Sequence, residues 1–146
     1  MASEPEQAVS GQPLLLLVED EPALRTLLVR FLERAGYRLE AAGTAAEALA
    51  AYLESPHRFA AAVLDLTLPD MPGLALLDAL RGVHPTLPIV LTSGAAPPVR
   101  SVALPGPEAL FLQKPFLPAR LVEALDALLP APEGPPQLSS SPSTTA

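Results

Sequence analysis

Four short stretches of the chain hold residue types suited to chemistry rather than to packing: Glu19-Asp20-Glu21, Asp65, Thr92-Ser93-Gly94 and Lys114-Pro115. Grouped carboxylates are ligands for a hard metal cation, which takes oxygen donors. Lys114 is the only lysine beside eight arginines, in a chain that otherwise puts every basic charge on a guanidinium. A compact ammonium is a point charge and a guanidinium a planar fork, so a single retained lysine suggests a task that arginine does not perform. Each piece also has a structural reading. Asp20, just before Pro22, suits a helix N-cap; Asp65 suits the opening of a turn; hydroxyls before Gly94 are ordinary loop chemistry. Their weight therefore depends on whether the fold gathers them.

The elements that would gather them are of two alternating kinds. Leu14 to Val18, Ala60 to Leu64, Ile89 to Leu91 and Ala109 to Leu112 are apolar on consecutive positions, as strands covered on both faces must be. Tyr37 to Ala41 is a weaker strand. Between them lie helical patterns. Leu24, Leu27, Leu28, Phe31 and Leu32 follow the spacing of one helix face, with Gly36 as its stop. Thr44-Ala-Ala-Glu47 reads as a capping box that opens a second helix ending before Pro56. Leu74, Leu77 and Leu80 mark a third, ended by Gly82, and Leu121, Leu125 and Leu128 a last one between Pro118 and Pro130. Such alternation demands right-handed crossovers and yields an α/β fold, a parallel sheet with helices on both faces. In an open parallel sheet, ligands bind beyond the carboxyl ends of the strands. The four reactive stretches each follow a strand, so all fall on that rim.

Composition narrows the function classes. With 9 Lys+Arg against 16 Asp+Glu the formal charge is −7, and the basic residues are scattered singly, so no stripe invites a nucleic-acid backbone. There is no cysteine, which excludes disulfides, thiolate metal sites and a cysteine nucleophile; His57 and His84 are too few and too far apart in sequence for a histidine-rich metal site. No apolar run approaches the length of a membrane span, and the acidic N-terminus is unlike a basic signal peptide, so a cytoplasmic protein without a membrane partner is expected. Residues 1–12 and the Pro/Ser/Thr-rich residues 131–146 read as disordered tails around a folded unit of 13–130.

Taken in order, Leu17-Val18-Glu19-Asp20-Glu21-Pro22, Val63-Leu64-Asp65-Leu66 with Leu68-Pro69-Asp70-Met71-Pro72-Gly73 behind it, Thr92-Ser93-Gly94 and Lys114-Pro115-Phe116 resemble the receiver domain of two-component response regulators. The resemblance spans about residues 13–130. It implies a flavodoxin-like, doubly wound five-stranded parallel sheet of order 2-1-3-4-5. It further implies that Asp65 is the phosphoacceptor, that Glu19 and Asp20 with Asp65 hold Mg²⁺, and that the Thr67 carbonyl is a further ligand. A hydroxyl from Ser93 or Thr92 would sense the phosphoryl group, Ser93 matching the family position better; Lys114 would pair with acceptor and phosphoryl oxygens, and Phe111 stands at the aromatic switch position. The implied partners are a histidine kinase or histidine phosphotransfer protein upstream and an unidentified protein downstream. Without the metal, the crowded carboxylates should raise at least one carboxyl pKa.

Two departures qualify the resemblance. Between Ser93 and Phe111, Pro97, Pro98, Pro105 and Pro107 leave at most about two turns for the usual fourth helix, which should be short or degenerate. Unless the sequence is excised from a longer one, a receiver without an output domain is expected. The Lys114–Pro115 bond is predicted to be cis. A competing function is a receiver-like scaffold, stand-alone or from a hybrid kinase, that binds partners without phosphate control. A phosphatase with an aspartate nucleophile fits poorly, because Asp65-Leu66-Thr67 lacks the second acid of Asp-x-Asp and follows the third strand rather than the first.

Overall fold

Strands alternate with helices along the chain as their apolar patterns require, in a computed structural model that describes residues 11–94 and 109–129. The order is β1 (Leu14–Val18), α1 (Pro22–Arg34), β2 (Arg38–Ala42), α2 (Ala45–Glu54), a short 3₁₀ turn (Pro56–Arg58), β3 (Phe59–Asp65), α3 (Gly73–Val83), β4 (Ile89–Ser93), β5 (Ala109–Gln113) and α4 (Pro118–Leu128). All five strands are parallel in the order β2-β1-β3-β4-β5. The expected helix between β4 and β5, and the tails expected at either end, lie outside the described residues apart from Gly11 and Gln12.

Both faces of the sheet are packed, and β1 shows why its apolar run has no polar gap. Leu14, Leu16 and Val18 join a core with Tyr52 of α2 and Leu76, Leu77 and Leu80 of α3. Leu15 and Leu17 join the opposite core, with Leu28 and Leu32 of α1 and Leu121 and Leu125 of α4. Consecutive side chains point to opposite faces, so a strand covered twice must be apolar throughout. β5 differs. As an edge strand it is only partly covered, and Leu110 is exposed.

Helix boundaries follow local chemistry with two corrections. α1 stops where predicted: Gly36 takes φ 103°, and Tyr37 N donates to Leu32 O and Gly36 N to Glu33 O. α3, expected to end at Gly82, instead includes it and runs to Val83. The stop is His84, with ψ at 85°, because Pro85 behind it disfavours helical backbone in the preceding residue. At the start of α1 the cap position belongs to Glu21 rather than Asp20, and no side chain caps it. The two histidines, distant in sequence, are brought to 5.9 Å between ring centroids, since each lies in the connection leading into a strand, β3 or β4. Two ligands still fall short of the usual three or four of a histidine metal centre.

Candidate functional site

Parallel strands of similar length end together, so the residues that follow β1 and β5 meet Asp65, the last residue of β3, at one rim. Glu19, Asp20 and Asp65 each present a carboxylate oxygen, and these lie within 4.8 Å of one another. Glu19 and Asp65 are buried, at 2% and 1% exposure, whereas Asp20 is open to solvent. Lys114, just past β5, reaches back across the rim with Nζ 2.9 Å from Glu19 Oε1 and 3.0 Å from Asp65 Oδ2. The Lys114–Pro115 bond is cis, as expected.

Each oxygen of Asp65 has its own partner. Oδ2 takes the ammonium, and Oδ1 accepts from the amide of Thr67 at 2.9 Å and from its hydroxyl at 3.1 Å. The turn reading of Asp65 and its placement among the rim charges are thus both realised, by different oxygens of one carboxylate. Gly73 sets how closely the following helix approaches: a Cβ there would stand 2.5 Å from the Asp65 carbonyl oxygen and 2.5 Å from Leu66 Cα. Any larger residue would push α3 and the end of β3 apart.

The electrostatics follow from burial. Desolvation raises the Glu19 carboxyl pKa above its ordinary value, against the lowering effect of its bonds to Lys114 and to the Glu21 amide; the Asp65 charge adds to the rise only as the smallest contribution. The expected rise is therefore found, but burial rather than crowding is its main cause. For Lys114 burial acts to lower the pKa, and its bonds to Glu19 and Asp65 outweigh it, so the ammonium is held above its ordinary value. Both members of the pair thus shift upward for different reasons, Glu19 because burial outweighs its bonds and Lys114 because its two partners outweigh its burial.

The donor set suits a hard divalent cation. Three carboxylates, two from the loop after β1 and one from the end of β3, provide charged oxygen ligands, and the exposed Asp20 leaves an open side for water, which Mg²⁺ retains. No sulfur competes, and among the described residues no other cluster of three such groups is present.

Sheet register places the hydroxyl pair. Asp65 and Thr92 are register partners across β3 and β4, and Ser93 lies beside Gln113 of β5. Both hydroxyl residues are buried. Alternation along β4 puts Ser93 on the face of Ile89 and Leu91, against whose core Phe111 packs; Thr92 falls on the face of Val90. Leu66 N donates to Thr92 O and Lys114 N to Ser93 O, so the backbone of this pair ties β3 and β5 together.

Two contributors were missed by sequence reasoning. Arg25 donates from Nη1 to the Glu19 carbonyl at 2.8 Å, and Asp70 binds the first two amides of α2. Arg25 lies on the α1 face one turn after Glu21, which is a weak signal; nothing in the sequence pairs Asp70 with residues about 25 positions earlier.

The chain is similar to known proteins in both sequence and fold. The family model of the response regulator receiver domain matches residues 15–126. The chain is 35% identical over 122 residues to the sensor kinase CckA of Brucella abortus, covering 83% of this chain and 13% of that protein. It is 37% identical over 121 residues to the probable transcriptional regulatory protein TcrX of Mycobacterium tuberculosis, covering 82% of this chain and 51% of that one. The chain thus spans about half of the regulator and a much smaller share of the kinase. Among solved structures, a CheY-like receiver domain protein from Methanospirillum hungatei superposes with a TM-score of 0.71 at 32% identity, covering 80% of this chain and 92% of that one. No helix among the described residues is long and apolar enough to cross a membrane.

Proposed function

The chain belongs to the response regulator receiver family, and from that premise we propose that it takes a phosphoryl group from a phosphohistidine donor onto Asp65 and thereby switches the binding of a partner. The observation that carries this reading is the single rim on which Lys114 bridges Glu19 and Asp65 while Asp20 adds a third carboxylate. Residues 13–130 are taken as the working unit.

In the transfer, an Asp65 carboxylate oxygen forms the new O–P bond as the donor's N–P bond breaks and the imidazole leaves. Carboxylate and phosphoryl group are both anionic, and the loose transition state spreads charge over its equatorial oxygens. Lys114 offsets that charge from one side, exchanging its bond to Asp65 for one to a phosphoryl oxygen. Glu19, Asp20, Asp65 and the Thr67 carbonyl would hold Mg²⁺, which when bound neutralises phosphoryl charge from the other side. Hydrolysis of the resulting acyl phosphate returns Asp65, so the domain is itself the substrate of the modification. Ser93 is assigned the sensing role because it shares a sheet face with Phe111, through which a shift of the hydroxyl reaches the β5 edge. Thr92, the register partner of Asp65, is its competitor.

Intact mass after incubation with acetyl phosphate and MgCl₂ tests the proposal. The wild type gains one phosphoryl mass and Asp65→Asn gains none; uptake by Asp65→Asn at the wild-type rate overturns the assignment. Ser93→Ala and Thr92→Ala separate the two hydroxyls, the former alone losing phosphate-dependent change at Phe111. A wild type that takes up no phosphate leaves the phosphate-independent scaffold as the function.

A further inference from the structure

We propose that Asp70 is a positioning residue for the metal-binding loops, acting through the first turn of α2. This inference rests on the Mg²⁺ role assigned above to Glu19, Asp20, Asp65 and Thr67.

Asp70 gives both carboxylate oxygens to another element. Oδ1 accepts from Ala45 N at 2.9 Å and Oδ2 from Ala46 N at 3.0 Å. These are the first two amides of α2, donors that a helix cannot satisfy from within. Yet α2 already has a local cap. Thr44 Oγ1 accepts from Glu47 N at 3.1 Å, while Glu47 Oε1 accepts from Gly43 N at 3.0 Å, one residue before the cap, so the return bond of a capping box is shifted by one position. The bonds from Asp70 therefore add more than a helix start: they fasten the loop between β3 and α3, which carries Thr67, to the turn between β2 and α2. The rest of that loop is tied near its base, by the Asp65–Thr67 bonds, the pairing of Thr67 with Pro72 and the bond from Gly73 N to Leu66 O. Asp70 lies between those ties and holds the loop's outer part.

The same turn grips the other ligand-bearing stretch. Glu19 N donates to Ala42 O at 3.0 Å, and the Arg25 guanidinium that binds the Glu19 carbonyl lies against Gly43. Residues 42–46 thus form a brace, with Glu19-Asp20 attached on one side and, through Asp70, the Thr67 loop on the other. Ligand atoms in a metal site are held to a fraction of an ångström by such outer contacts, and losing one costs affinity without removing a ligand.

Titration calorimetry of MgCl₂ into the metal-free full chain tests the role. Asp70→Ala is expected to weaken Mg²⁺ by about tenfold, and Asp70→Asn, which keeps one acceptor oxygen, by less. Tyr52→Phe is the control: it removes a buried bond from the same helix to Leu80 O without touching residues 42–46 or the Thr67 loop, so its melting temperature falls while its Mg²⁺ affinity stays at the wild-type value. At saturating MgCl₂ the acetyl phosphate reaction of Asp70→Ala recovers. Unchanged affinity in Asp70→Ala, or an equal loss in Tyr52→Phe, overturns the positioning role. If Asp70→Ala does not fold, Asp70→Asn is compared with Tyr52→Phe by the same criterion. A wild type that binds no Mg²⁺ overturns instead the reading on which the inference rests.

Discussion

α1 and α2 both begin just beyond a strand on the same rim, and their first turns use nearby side-chain oxygens in opposite ways. At α2 the exposed amides are met by Thr44, by Asp70 from a distant loop, and by Glu47 at the preceding turn. At α1 the cap residue Glu21 makes no side-chain bond, and Pro22 in the first helical position removes a donor that would otherwise need one. Glu19 takes the Glu21 amide with Oε2 and leaves Oε1 for Lys114, while Asp20 bonds to none of the described residues. A start whose acids are used up is architecture. One whose acids are left over is a site, and a proline is what spares them.

Asp20→Asn is the sharpest way to break this contrast. It should cost about tenfold or more in Mg²⁺ affinity, with a matching loss of acetyl phosphate reactivity at limiting metal, yet change metal-free stability by no more than about 0.5 kcal/mol in urea unfolding. A loss of 1 kcal/mol or more would make Asp20 a structural cap after all.

Lys114→Met should come next. Removing one partner of a buried pair leaves the others uncompensated, and with Lys114 about one-fifth exposed a loss of about 2 kcal/mol is expected in chelator, less than for a fully buried pair. Added MgCl₂ should recover most of it by supplying the missing positive charge. A loss that is the same with and without MgCl₂ would show that the ammonium acts through packing.

At α2, Thr44→Ala should cost about 1 kcal/mol, the ordinary value of a lost N-cap. The smallest effect is a pH dependence. The amides of Ala45 and Ala46 hold the Asp70 carboxyl below its usual 3.8, so its contribution is fully present above that pH and is lost as the pH falls through the lower folded value. In Asp70→Asn this segment of the acid unfolding curve should flatten; an unchanged slope would mean the carboxylate charge adds nothing to the cap.

Much of the frame was legible because it depends on neighbours in sequence. The closing of α1 at Gly36, the capping box Thr44 to Glu47 and the uninterrupted apolar strands each involve residues within a few positions of one another. The misplaced end of α3 belongs to the same class: Pro85 was the stronger stop signal, and Gly82 need not break a helix that is packed on its other face. The alternative reading of Asp20 as a cap fails, because the cap position falls to Glu21 and a preference for a residue type says nothing about which donors Pro22 has removed.

By itself, then, the sequence determined the alternation of strands and helices, the rim on which the reactive residues fall and the identity of the acids and the ammonium. Only the tertiary structure decided how they are spent. That Lys114 meets Glu19 and Asp65 together, that Asp70 reaches Ala45 and Ala46, and that burial outweighs charge in raising the Glu19 pKa all depend on strand order, register and the depth of the rim. These are contacts between segments that approach only once the sheet has closed, and no local period or propensity encodes their distances.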